Sequence, residues 1–368
     1  MRKEMITTRG AGSMMALMII CTSVLTGMGT VKQDVWLSIL FSALLFLPIV
    51  LVYSRICALC PQQGLHEILE SLFGKAISFL LILIFSIYAL TVAALTLRNF
   101  VEFTVVIALV DTPRIPLMMA ILFVAVFLAR QGLSVFGKWS TIVCTIILVN
   151  LAFTLLLALD VIEISRVKPM LDHSFSQITA NATSIGSIAI GETVVIMVLM
   201  GHVGTGKSSY KVYLWGLLVG IVSLAMVALR NLLILGPEMA AAAKFSGYLA
   251  ARIVHLGTFF ERMESIISFN LILMGITKIA LCLSTATMGS ARLLKIDDYR
   301  NLLLPVSLLV LALCSVVFKT AFEMFDFARV YKYVAFPIQV ILPVVIWIAA
   351  EIKGRKKRMP HMGEASNS

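Results

Sequence analysis

The chain has 368 residues, 60% of them apolar and 13% charged, and a formal net charge of +11. A mean hydropathy of +1.01 leaves too little polar surface for a soluble protein of this length, which excludes a soluble domain and makes the chain a polytopic membrane protein. The positive balance is then the ordinary consequence of membrane topology rather than the mark of a nucleic-acid partner.

Crossing a hydrocarbon core of ~30 Å takes about 20 apolar residues at ~1.5 Å per residue. Ten stretches approach that length, at 11–30, 35–53, 76–97, 115–129, 139–159, 178–200, 213–235, 266–288, 302–318 and 334–350, the fourth and ninth being short. The charged start Met1-Arg2-Lys3 leads into the first of them without a small-residue cleavage site, so that run is read as a span. It is interrupted by Gly27 and Gly29 around Met28, and the sixth span by Gly186 and Gly191. In lipid every freed backbone N–H or C=O is expensive, so breaks persist where backbone lines a cavity. Two broken segments at corresponding places predict a substrate-sized site near the bilayer midplane, built from half-helix ends.

After the second span, Leu65, Ile68, Leu69 and Leu72 fall at helical spacing with Glu67 and Glu70 between them, which predicts an interfacial helix. Cys57 and Cys60 form a lone CxxC there with His66 as the only nearby donor, too few for a metal site. The other cysteines, Cys21, Cys144, Cys282 and Cys314, sit in apolar spans as small hydrophobes. In the loop 236–265, Gly236-Pro237-Glu238 followed by Leu249, Ile253 and Leu256 predicts another surface helix.

Dividing the chain after the fifth span gives 1–160 and 178–350, each with five spans and each opening on its broken helix, followed by a basic tail at 351–368. Because five is odd, the halves lie in opposite orientations. The expected fold class is an all-α polytopic membrane protein of about ten transmembrane helices in a 5+5 inverted repeat, as in amino-acid permeases and LeuT-like symporters, with helices 1 and 6 broken. With both termini in the cytoplasm, the cytoplasmic segments hold 17 Lys+Arg against 7 Asp+Glu and the outer ones 11 against 11. Lys353, Arg355, Lys356, Lys357 and Arg358 in the tail suit anionic lipid headgroups.

Glu192, Arg230 and Lys278 lie within spans. An ammonium at mid-span costs at least ~2.5 to 3.5 kcal/mol, so Lys278 should face the bundle interior. Glu192, beside Gly191, is the acid at similar depth. A Lys278–Glu192 pair, direct or through water, is expected either to stand where related symporters hold a cation or only to pack two helices together. Arg98 and Glu102, four apart at the outer end of the third span, are expected to pair on one helix face and snorkel, with direct ligand contact as the alternative, and Arg230 to snorkel likewise. Free backbone groups at the breaks can hold the carboxylate and ammonium of a small zwitterion. Thr26, Met28, Thr30, Thr183, Ser184, Ser187 and Ile188 would shape its pocket for an apolar or small side chain; the alternative is that glycines and hydroxyls there serve close helix packing.

The run Gly201-His202-Val203-Gly204-Thr205-Gly206-Lys207-Ser208 matches GxxxxGK[ST], and Leu155-Leu156-Leu157-Ala158-Leu159-Asp160 looks like the strand that supplies a magnesium ligand. The span count puts Lys207 and Asp160 on opposite sides of the membrane, so nucleotide binding is not expected. His66, His173, His202, His255 and His361 have no HExxH spacing and no Ser/His/Asp set converges, so neither an enzyme nor a cofactor or metal is expected.

Several stretches together resemble the spore germinant-receptor B-subunit family, the GerAB-like endospore germination permeases of the amino acid–polyamine–organocation superfamily. They are Gly27-Met28-Gly29, Lys32-Gln33-Asp34-Val35-Trp36-Leu37, Leu97-Arg98-Asn99-Phe100-Val101-Glu102-Phe103, Gly191-Glu192, Leu235-Gly236-Pro237-Glu238, Phe260-Glu261-Arg262-Met263-Glu264-Ser265, Lys278 and Asp298-Tyr299-Arg300. The resemblance implies a multi-pass subunit of the spore inner membrane that recognises a small nutrient, often an amino acid, and triggers germination with an A-type subunit and a lipoprotein C-type subunit. It implies a pocket at Gly27, Gly29, the Gly191-Glu192 break and Thr277-Lys278. A proton-coupled amino-acid transporter using Glu192 or Lys278 is the alternative on the same fold. The chain departs from the family pattern in two places, lacking a proline after the first glycine break, in Gly29-Thr30-Val31-Lys32, and another in the outer loop, at Phe245-Ser246-Gly247-Tyr248.

Overall fold

The computed structural model describes residues 4–28, 30–107, 112–203, 207–254, 263–317 and 321–358. Apart from one isolated parallel bridge between Ile6 and Val203, the regular structure among them is helical. Helix α1 (Thr8–Ile20) starts where the Thr7 hydroxyl accepts the Gly10 N–H at 3.0 Å, an N-cap that satisfies one of the helix's orphan donors. It tightens into a 3₁₀ turn over Cys21–Met28. A further 3₁₀ turn, Lys32–Asp34, leads into α2 (Val35–Leu59).

Helix α3 (Leu65–Ile107) begins as the expected interfacial arm, bends at Gly74, whose φ of 73° favours glycine, and continues as a span. Helices α4 (Arg114–Arg130) and α5 (Leu133–Leu157) follow. The capping box of Ser174 and Gln177 opens α6 (Phe175–Ala189), which gives way to a 3₁₀ turn at Gly191–Val195 and then α7 (Ile196–Leu199). The remaining elements are α8 (Lys207–Leu235), the short surface helices α9 (Pro237–Ala242) and α10 (Ser246–Ile253), then α11 (Met263–Leu294), α12 (Leu303–Val317) and α13 (Ala321–Phe336). A π turn at Pro337–Ile341 joins α13 to α14 (Leu342–Arg358).

Eight helices among the described residues are long and apolar enough to cross a bilayer. The other two expected spans are shorter: the first apolar helix runs Thr8–Val24, and α4 has 17 residues. Large apolar side chains such as Leu44, Phe123, Val149, Leu218, Leu308 and Val316 point outward, as lipid-facing helices require.

The helices pack as two groups of four. One contains α1, α2, α6 with α7, and α8; the other contains α3, α4, α11 and α12. Helix α5 lies against α1 and α11, α13 against α6, and α14 against α2. From Gly10 onward every residue of α1 is buried, as is every residue of the Gly191–Val195 turn and α7. A helix that is apolar on all sides belongs at the centre of a large bundle, and here the two interrupted helices take that place.

Two expectations about the breaks are corrected. Regular α geometry in the first span ends at Ile20, before Gly27, so the 3₁₀ turn begins at Cys21. Gly186 does not interrupt the sixth span: it stays helical, and α2 comes so close that a Cβ there would stand 2.5 Å from the Phe46 ring. Only the Ile190-Gly191 step breaks that helix.

Candidate functional site

Where α1 becomes a 3₁₀ turn, Cys21 and Thr22 face the turn at Gly191–Val195 across a cavity of about 50 Å³. Its wall is completed by Thr96 and Asn99 of α3, Lys278 of α11 and Tyr331 of α13, with Ile188, Phe100 and Phe327 as apolar surface. The Thr22 hydroxyl is buried and has no hydrogen-bond partner among the described residues. A buried polar group is normally satisfied, so this one marks a place for a ligand or water.

Lys278 Nζ lies 2.5 Å from Glu192 Oε2, and each side chain is 5% exposed. The pair is direct, and it joins the two groups of helices, Glu192 on the broken sixth span and Lys278 on α11. Tyr331 stands beside Glu192 in the wall of the cavity. The Tyr331 hydroxyl meets that of Tyr88 at 2.9 Å, and Gln339 Nε2 donates to Tyr88 at 2.8 Å. Gln339 also donates to the Ser187 carbonyl and accepts from the Ser187 hydroxyl, both at 2.8 Å, while its own carbonyl accepts from Tyr53 at 2.5 Å. A polar row therefore leads from Tyr331, beside the ion pair, to the π turn of the last span.

The sequence-predicted residues divide accordingly. Ile188, Glu192 and Lys278 line the cavity. Ser187 and Gly191 instead face Gln339, and a Cβ at Gly191 would collide with its carboxamide. Thr277 turns to α5, where its hydroxyl accepts from Trp139 Nε1 at 3.1 Å and donates to the Leu273 carbonyl at 2.8 Å. Gly27 and Met28 end the first 3₁₀ turn, and Gly29 lies outside the described residues.

Arg98 and Glu102 pair at 2.9 Å as spacing predicts, but they do not snorkel: their side chains are 4% and 2% exposed. The cause is that α3 runs on to Ile107, ten residues past the expected end, and Arg114 of α4 caps the pair by reaching Glu102 at 2.8 Å. Arg230 is likewise buried rather than snorkelled.

The phosphate-loop match falls partly at 204–206, outside the described residues. Its proposed partner is remote: beside Asp160, the Glu163 N–H donates to the Leu233 carbonyl at 3.3 Å, near the far end of the helix that Lys207 begins. At ~1.5 Å per residue, that separation is about 39 Å along α8. No cluster of three metal-ligating side chains occurs among the described residues.

Sequence reasoning missed Thr22, Tyr88, Tyr331 and Gln339. Gln339 had a usable signal as a lone amide within an apolar span. Tyr331 falls outside the expected span at 334–350, although Phe327, Tyr331 and Ala335 repeat every four residues on one helix face.

Two groups of four helices, one of them holding the two interrupted central helices, with a small cavity at the breaks, define a permease-type membrane protein. Solved transporters agree in fold. Mhp1, a nucleobase-cation-symport-1 family transporter in a closed conformation with bromovinylhydantoin bound, matches with a TM-score of 0.66 at 11% identity over 94% of this chain and 78% of its own. MhsT in complex with L-phenylalanine matches with a TM-score of 0.60 at 11% identity over 93% and 87%. The chain belongs to the spore germination protein family, whose family model matches residues 5–323. It is 22% identical over 99% of both chains to spore germination protein KB of Bacillus subtilis (strain 168), and 22% identical over 88% of both to the same organism's spore germination protein YfkT, there described as putative.

Proposed function

We propose that this chain is the nutrient-sensing subunit of a germination receptor, seated in the spore inner membrane with both termini cytoplasmic, and that it signals to A-type and lipoprotein C-type partner subunits. Its ligand is a small zwitterion of the amino-acid class, held in the cavity at the helix breaks. The observation that carries this reading is the Lys278–Glu192 pair beside the unpartnered Thr22 hydroxyl. A zwitterion offers a carboxylate to Lys278 and an ammonium to Glu192, and Thr22 adds one hydrogen bond. A cavity of about 50 Å³ has room for roughly four water-sized groups, which favours a short side chain against Ile188 and Phe100. The L-phenylalanine bound by MhsT supports an amino acid as a ligand for this fold. Because the pair joins the two helix groups, a ligand that enters between its members changes their contact, which is the differential interaction a signal needs.

The test is equilibrium binding of labelled amino acids to the purified protein alongside their uptake by proteoliposomes. Saturable binding without uptake, abolished in Lys278→Met, is the expected result. Concentrative uptake driven by a pH gradient would replace this reading with proton-coupled transport. The bonded hydroxyls of Tyr331, beside Glu192, and Tyr88 favour that second reading, which predicts that Tyr331→Phe retains binding and loses uptake.

A further inference from the structure

Across the first 3₁₀ turn from the ion-pair cavity lies a second cavity of about 50 Å³, and Val24 forms part of the wall of both. Its polar end is made by Arg230 of α8, Thr154 of α5 and Asn270 of α11; Leu151, Leu271 and Met274 are among its apolar walls. Arg230 is 4% exposed and closed over by α10. Among the described residues its contacts are all neutral. Nη1 donates to the Thr154 hydroxyl at 3.0 Å, and Nε and Nη2 donate to Asn231 Oδ1 at 3.3 and 2.9 Å.

A guanidinium carries five N–H donors and keeps its charge in proteins. Three are used here, so one N–H on each terminal nitrogen remains, and no carboxylate among the described residues lies within ion-pair distance. A buried charge without a counter-ion is strongly unfavourable, most of all in a membrane-spanning helix. Asn270 adds to the polar end: its oxygen accepts from Asn150 at 2.7 Å, which leaves its NH₂ group for the cavity.

We propose that this cavity is a binding site for a small carboxylate, with the carboxylate forked onto Arg230 and a short alkyl chain against Leu151, Leu271 and Met274. A planar fork matches two oxygens on one carbon better than a spherical ion, and the apolar walls reward a hydrocarbon tail. The site is separate from the ion-pair cavity and does not depend on the nutrient reading.

The experiment is calorimetric titration of the purified full-length protein in nanodiscs, at constant ionic strength, with propionate, propionamide and chloride. Saturable binding of propionate alone is expected. Arg230→Gln should weaken it about tenfold or more. Leu151→Phe, which fills the cavity and keeps the guanidinium, should weaken it as well, and decides the matter if the arginine variant does not assemble. Thr22→Val, in the ion-pair cavity, should leave it unchanged, which separates this site from the proposed nutrient cavity. Chloride competing on equal terms with propionate would make this a halide site and overturn the proposal. So would an absence of saturable binding, or binding indifferent to both cavity substitutions.

Discussion

Removing one member of a buried ion pair leaves the other as an uncompensated charge, which makes Lys278 and Glu192 the most sensitive pair of side chains at the centre of the molecule. Lys278→Met is expected to destabilise the protein by about 3–5 kcal/mol. The double variant Lys278→Met, Glu192→Gln should lose much less than the sum of the single ones, because neither residue then holds a bare charge. Thermal unfolding of all four proteins in detergent checks this, and additive losses would mean that the two groups do not interact. Thr22→Val removes a hydroxyl that has no partner among the described residues, so stability should change little while ligand affinity falls. The charged pair was legible in the sequence because a charge at mid-span is expensive enough to require a partner. Thr22 was not, since a hydroxyl in an apolar helix usually bonds back to its own backbone, as Thr96 does to the Val92 carbonyl at 2.7 Å.

At the scale of the element, the sixth span breaks where Gln339 crosses it. The carboxamide fills the space a side chain at position 191 would need, so Gly191→Ala must push Gln339 away and disrupt its bonds to Ser187 and Tyr88. A loss of about 1–3 kcal/mol is expected, as for other overpacked cores. Combining it with Gln339→Ala should cost less than the two separate losses added together, and unfolding midpoints of the four proteins measure the difference. Glycine count and position revealed that this helix is interrupted, yet they could not separate Gly191 from Gly186, five residues earlier. Both are required by close neighbours, but the neighbour of Gly186 is a ring of α2 that leaves the helix intact. That distinction depends on which helix lies opposite, a fact of packing rather than of local sequence.

At the scale of the whole molecule, hydrogen bonds and ion pairs tie chain segments together at both ends of the bundle. On the face that carries the N terminus, the Ile6 N–H donates to the His202 carbonyl at 2.7 Å, and Glu4 accepts from the Leu133 N–H at 2.6 Å and pairs with Arg300. On the opposite face, the Asp34 carboxylate is 1% exposed and holds the segment before α6, accepting from the Leu171 N–H at 2.8 Å and the His173 N–H at 3.2 Å, with the His173 ring at 3.0 Å. The surface pair Lys32–Glu238 lies nearby at 2.6 Å but is well exposed and contributes little. Asp34 is therefore a buried tie on that face. A ligand arriving from there must enter through a local opening, whose free energy is set largely by these hydrogen bonds. Cys21 reports such an opening, because it is buried and lines the cavity. In a Cys60→Ser background, Asp34→Ala is expected to raise the rate at which a small, membrane-impermeant thiol reagent modifies Cys21 by about tenfold, the equivalent of one buried hydrogen bond to a charged group. Addition of the nutrient ligand should slow the reaction by occupying the cavity. Unchanged labelling in a variant that folds normally would place the barrier to entry elsewhere in the bundle.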